Sequence, residues 1–100
     1  MDHKEAVRRY ETLVAAVKSA IDAADPIGLL EIGAPNDEYD PEVETIVPRV
    51  AKAADEVEVH QIVHDEFVRW FGEGTAGPIA AYEAAARAIW QSVLVFRRSG

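Results

Sequence analysis

Apolar residues along this chain recur at alternating steps of three and four, the period of an α-helix, and nowhere alternate as a strand would. The first stripe is Val7, Tyr10, Val14, Val17, Ile21 and Ala24, with Leu13 beside it. Lys4, Arg8, Glu11, Lys18 and Asp22 take the opposite face. Asp2 with Glu5 three residues on reads as a capping box, which predicts a helix start there. Asp25-Pro26 ends the helix, because proline drives the preceding residue out of helical angles.

A connector over residues 25–40 follows, rich in glycine, proline and acid but carrying Ile27, Leu29, Leu30 and Ile32. Those apolar residues predict that it folds back and packs. Asp40-Pro41-Glu42 reads as an N-cap, a first-turn proline and an acid at the positive end of the helix dipole. Val43, Ile46, Val47 and Val50 then form the second helix's apolar face, Pro48 is expected to kink or divide it, and its end falls near Ala54. Asp55 and Glu58 form a second capping box ahead of Val59, Ile62, Val63, Phe67, Trp70 and Phe71, and Gly72 closes this third helix. Gly77-Pro78 opens the last, with Ile79, Tyr82, Ala86, Ile89, Trp90, Val93 and Leu94 on its apolar face. The expectation is all-α: one helical domain over residues 1–100, a compact four-helix bundle with a long, packed acidic connector between helices 1 and 2.

Composition adds exclusions to this picture. With no cysteine, thiolate metal sites and cysteine nucleophiles are absent. No basic segment leads into an apolar run at the N-terminus, which makes a cytoplasmic location the expectation. Uncharged stretches such as residues 88–96 fall well short of the roughly 18 apolar residues of a membrane span. A formal charge of −8, from eighteen acids against ten bases, argues against nucleic acid as a partner.

The acid is also unevenly placed. Between Lys18 and Arg49 stand eight acids, Asp22, Asp25, Glu31, Asp37, Glu38, Asp40, Glu42 and Glu44, and no lysine or arginine. Such a patch concentrates cationic partners and speeds their encounter. Capping and dipole roles account for Asp25, Asp40, Glu42 and Glu44. That leaves Glu31, Asp37 and Glu38, with Tyr39 beside them, as the candidate partner-binding set for a basic protein. The spacing lacks the pattern of a calcium-binding loop.

Two further clusters bear on chemistry. Glu56, His60 and His64 stand four apart on the third helix, a spacing at which two histidines can share a metal. No His-Glu-x-x-His motif accompanies them, and His60 falls on the edge of the apolar arc, where a half-buried packing role is the plainer reading. Glu66 projects into the predicted core and needs a partner, for which Arg69, Arg87 or a tyrosine hydroxyl are candidates. No serine sits in a glycine-flanked elbow, so no catalytic residue and no cofactor is assigned.

Asp25-Pro26-Ile27-Gly28 and then Asp37-Glu38-Tyr39-Asp40, followed by Ile46-Val47-Pro48 and Trp70-Phe71-Gly72, resemble the signature of a small, uncharacterised bacterial helical family. The pattern is also similar to that of acidic immunity proteins encoded beside bacterial toxins. The resemblance implies a helical bundle of about this size and, by analogy, a non-enzymatic interaction module that neutralises a basic toxin. The same signature also suits plain turn geometry, with Tyr39 anchoring the loop. The alternatives are a metal-dependent enzyme using His60 and His64 with Glu56 or Asp65, and a structural homodimer through the alanine-rich side of helix 4.

Overall fold

The computed structural model describes residues 3–28, 32–33 and 39–98. Among these the chain is all-α: α1 (His3–Ala24), α2 (Asp40–Val50), α3 (Glu56–Phe71), the single-turn α4 (Glu73–Ala76), a 3-10 turn (Ile79–Tyr82) and α5 (Glu83–Arg98). Asp2, the predicted cap of the first helix, lies outside the described residues, as do Leu29 and Leu30 of the connector.

α1 and α5 lie side by side and antiparallel. The Arg9 guanidinium donates to the Phe96 carbonyl at 2.5 Å and sits over that ring, 5.1 Å from its centroid. α2 and α3 form a second antiparallel pair, joined by a short turn that Asp55 caps through a 2.8 Å bond from the Glu58 amide. Glu58 answers by accepting from the Ala54 amide at 2.9 Å, so the predicted box closes one residue earlier than the standard form. Leu13, Val17 and Ile21 of α1 meet Val43, Ile46, Val47 and Val50 of α2 in one core. Val59, Val63 and Phe67 of α3 and Ala86, Ile89 and Val93 of α5 complete it. Arg97 locks the two layers at one end by donating to the Ala51 carbonyl at 3.0 Å and to the Ala53 carbonyl. Those acceptors are carbonyls left without an intrahelical partner where α2 ends.

Among the described residues five α-helices stand where the periodicity predicts four. The extra turn and the 3-10 segment come from two glycines with positive φ, Gly72 at 84° and Gly77 at 77°, which break the path between α3 and α5 twice. Pro78 therefore opens a 3-10 turn, and α5 begins only at Glu83. α2 ends at Val50, short of Ala54, and Pro48 does not divide it. Pro48 is exposed, so the carbonyl whose amide partner it removes faces the solvent side of the helix. Trp70, predicted as core, is 46% exposed, because α3's apolar stripe outlasts the helices that cover it.

Tyr82 ties the broken segment to the core. Its ring is fully buried between Phe67 and His64, and its hydroxyl donates to the Ala76 carbonyl at 2.6 Å. Burial pushes its pKa from 10.0 up to about 12. Between those values the unfolded chain has lost a proton that the folded chain retains, so unfolding gains as pH rises. The stabilisation is complete below pH 10 and is lost as pH climbs through about 12. Lys18, whose pKa is raised from 10.5 by Asp40 and then Asp22, adds to the same alkaline decline. Thermal melts across this range are expected to show Tyr82→Phe costing about 1 kcal/mol near neutrality through the lost hydrogen bond. The same variant should lose stability more gently than the native chain in alkali, and an identical alkaline slope would contradict the assignment.

Candidate functional site

The acidic region sits where α1 ends and α2 begins. Asp25 terminates α1 in the left-handed conformation, φ 43°, a geometry that Asp tolerates better than most side chains. Its amide donates to the Ile21 carbonyl at 2.8 Å, closing the last turn. The chain then turns through Pro26 to Gly28, whose amide bonds the Asp25 carbonyl at 2.9 Å and whose φ is 75°. The Asp-Pro-x-Gly segment is thus a helix stop followed by a turn that needs its glycine.

Tyr39 closes the connector from the other side. Its side chain is fully buried against Phe67, ring centroids 5.8 Å apart, and its hydroxyl donates to Asp25 Oδ1 at 2.6 Å. Tyr39, named with the partner-binding set, is thus placed as a buried anchor of the connector. Glu31, Asp37 and Glu38 lie outside the described residues.

The structure gives most of the other acids local work. α2 begins at Asp40 itself, behind a Tyr39 that makes no side-chain cap, so Asp40 is a first-turn residue and not the predicted N-cap. Asp40 and Asp22 both engage Lys18, at 2.9 and 3.0 Å. Glu42 stands in the first turn of α2, where its dipole role places it, and is buried at 4% exposure. Glu44 is exposed. One lysine among these carboxylates leaves a net negative potential at this end of the molecule.

The histidine pair is used differently from a metal site. His60 Nε2 donates to the Ile79 carbonyl at 2.6 Å and His64 Nε2 to the Gly77 carbonyl at 2.9 Å. A carbonyl only accepts, so each imidazole carries its proton on that nitrogen. Together they hold the irregular chain between α3 and α5 against α3. Asp65 accepts instead from the Gln61 amide at 2.7 Å, and no group of three histidine or acidic side chains with metal-binding geometry occurs among the described residues.

Glu66, 1% exposed, receives Arg49 Nη1 from α2 at 2.8 Å and Arg69 Nη1 at 3.4 Å, both on Oε1. Arg69 was legible as a neighbour one turn along the same helix; Arg49 depends on how α2 docks. Arg87 pairs with Glu83 at 3.1 Å instead. The exposed indole of Trp70 donates to Thr45 Oγ1 at 3.1 Å, a contact that no sequence signal announces.

No protein-family model, curated protein or solved structure matches this chain.

Two substitutions test this geometry by chemical denaturation. Tyr39→Phe removes one hydrogen bond to a carboxylate and is expected to cost about 1.5–3 kcal/mol. Arg49→Ala is expected to destabilise by about 1–3 kcal/mol by stripping a donor from a buried carboxylate, whereas Glu66→Leu should cost less or nothing. The reverse order of those two effects would show that Glu66 is not held by Arg49.

Proposed function

We propose that this protein is a non-enzymatic interaction module whose acidic end docks on a basic protein surface, as an immunity protein docks on a toxin. The observation that carries the reading is the Tyr39–Asp25 bond, which joins the end of α1 to the start of α2, the two helix ends between which Glu31, Asp37 and Glu38 stand in the sequence. The absence of lysine and arginine between Lys18 and Arg49 keeps the potential of that segment one-signed. The resemblance of the Asp-Pro-x-Gly and Asp-Glu-Tyr-Asp segments to small bacterial helical proteins points the same way. On this reading the four long helices act as a bundle that serves only as scaffold, in the cytoplasm, with no cofactor. The commitment of both histidine Nε2 atoms to carbonyls weighs against the metal-dependent alternative.

The partner is sought by capture from native lysate, followed by association kinetics. Asp37→Lys, Glu38→Lys and Glu44→Lys together are expected to slow association on the order of tenfold or more at low salt, with less effect at high salt. Association that is equally fast for the triple variant would defeat the electrostatic reading.

A further inference from the structure

We propose that the seam between α2 and α3 is a docking surface for a carboxylate-bearing acidic segment of a partner protein, with Arg49, Arg69 and Trp70 as its contact residues. The proposal is independent of the acidic-connector reading and calls for a partner of the opposite charge.

Helical spacing builds the seam. Thr45 and Arg49 stand four apart on α2, and Arg69 and Trp70 stand three and four residues after Glu66 on α3, so each set occupies one stripe of its helix. Two contacts bring the stripes together. Arg49 Nη1 donates to Glu66 Oε1 at 2.8 Å, and the Trp70 indole donates to Thr45 Oγ1 at 3.1 Å. Arg69 Nη1 reaches the same Glu66 oxygen at 3.4 Å, so two guanidinium groups converge on one carboxylate oxygen.

One arginine is enough to neutralise Glu66, and the second leaves the seam with a surplus positive charge. Neither guanidinium is used up. Each has five N–H donors, and each gives its hydrogen bond from Nη1 alone. The Arg49 side chain is 45% exposed and that of Arg69 76%, which leaves donors open to solvent. Other arginines are spent differently. Arg9 and Arg97 lie over Phe96 and Trp90 and bond backbone carbonyls, and Arg87 holds Glu83. Trp70 completes the surface. Its indole, 46% exposed, is the one aromatic ring among the described residues that touches neither another ring nor a guanidinium. Its N–H is already committed to Thr45, so the exposed part of the ring is left for apolar contact. Tryptophan and arginine are the residue types that carry most of the binding energy at protein interfaces.

Charge and donor geometry select the occupant. A planar guanidinium fork matches the two oxygens of a carboxylate, and an indole beside it takes the apolar neighbours of an acid in a peptide. The acids that flank the seam on α3 are Asp65, which accepts from Gln61 at 2.7 Å, and Glu73, which follows the break at Gly72. Lys52, one turn beyond Arg49, adds an exposed base. Asp40 and Glu42, in the first turn of α2, lie at least about 10 Å from Arg49 along the axis, more than one screening length at physiological salt.

The test is an NMR titration of the full chain with a blocked Glu-Glu-Leu-Glu-Glu-Leu peptide, run beside its glutamine counterpart and inorganic phosphate. The Trp70 indole N–H resonance and the Arg49 and Arg69 Nε–H resonances are expected to move with the glutamate peptide and to stay in place with the other two probes. Arg69→Gln leaves Arg49 on Glu66 and should keep the native melting temperature, yet weaken the peptide on the order of tenfold. Resonances that do not move, equal binding of the glutamine peptide or of phosphate, or an unchanged affinity in Arg69→Gln would each overturn the proposal.

Discussion

A hydrogen bond donated by the Tyr39 hydroxyl to the Asp25 carboxylate joins the two ends of the connection between α1 and α2. α1 stops at Asp25 because proline follows, and α2 starts immediately after Tyr39, whose carbonyl accepts the Val43 amide at 3.0 Å. The bond at 2.6 Å therefore ties the end of one helix to the beginning of the next. Tyr39 also contacts Phe67 of α3, so the closure reaches the centre of the core. α2, packed into the core through Val43, Ile46, Val47 and Val50, in turn brings Arg49 to Glu66 and Thr45 to Trp70.

The second irregular connection is held by the same kind of argument in a different chemistry. Gly72 and Gly77 let the chain leave α3 and enter α5 at an angle a continuous helix cannot reach. The carbonyls exposed by that path are met by His60, His64 and Tyr82, each through one hydrogen bond. His60, His64 and Tyr82 thereby fasten this loop.

Charge is distributed by the same architecture. The acids near α1's end are partly consumed by Lys18, by the Asp25 anchor and by burial of Glu42, while the basic residues gather where α1 begins and α5 ends. An acidic protein can thus present faces of opposite sign on opposite ends of one helix pair.

Periodicity and caps alone determined the helical class, the span of α1 and α3, the Asp55–Glu58 box and the stop at Asp25, because each depends on residues within about one or two turns of one another. The half-buried place of His60 was legible for the same reason, from its angle on a single helix. What only the tertiary structure decided were the contacts between elements distant in sequence: Arg49 as the partner of Glu66, carbonyls as the partners of both histidines, the burial of Glu42, the exposure of Trp70 and the use of Asp40 by Lys18. The break between α3 and α5 belongs to this second group, since glycines permit a positive φ but the packing of Tyr82 selects it. Local rules govern a residue's own helix; which helix covers it is set by docking angles that depend on the whole chain at once.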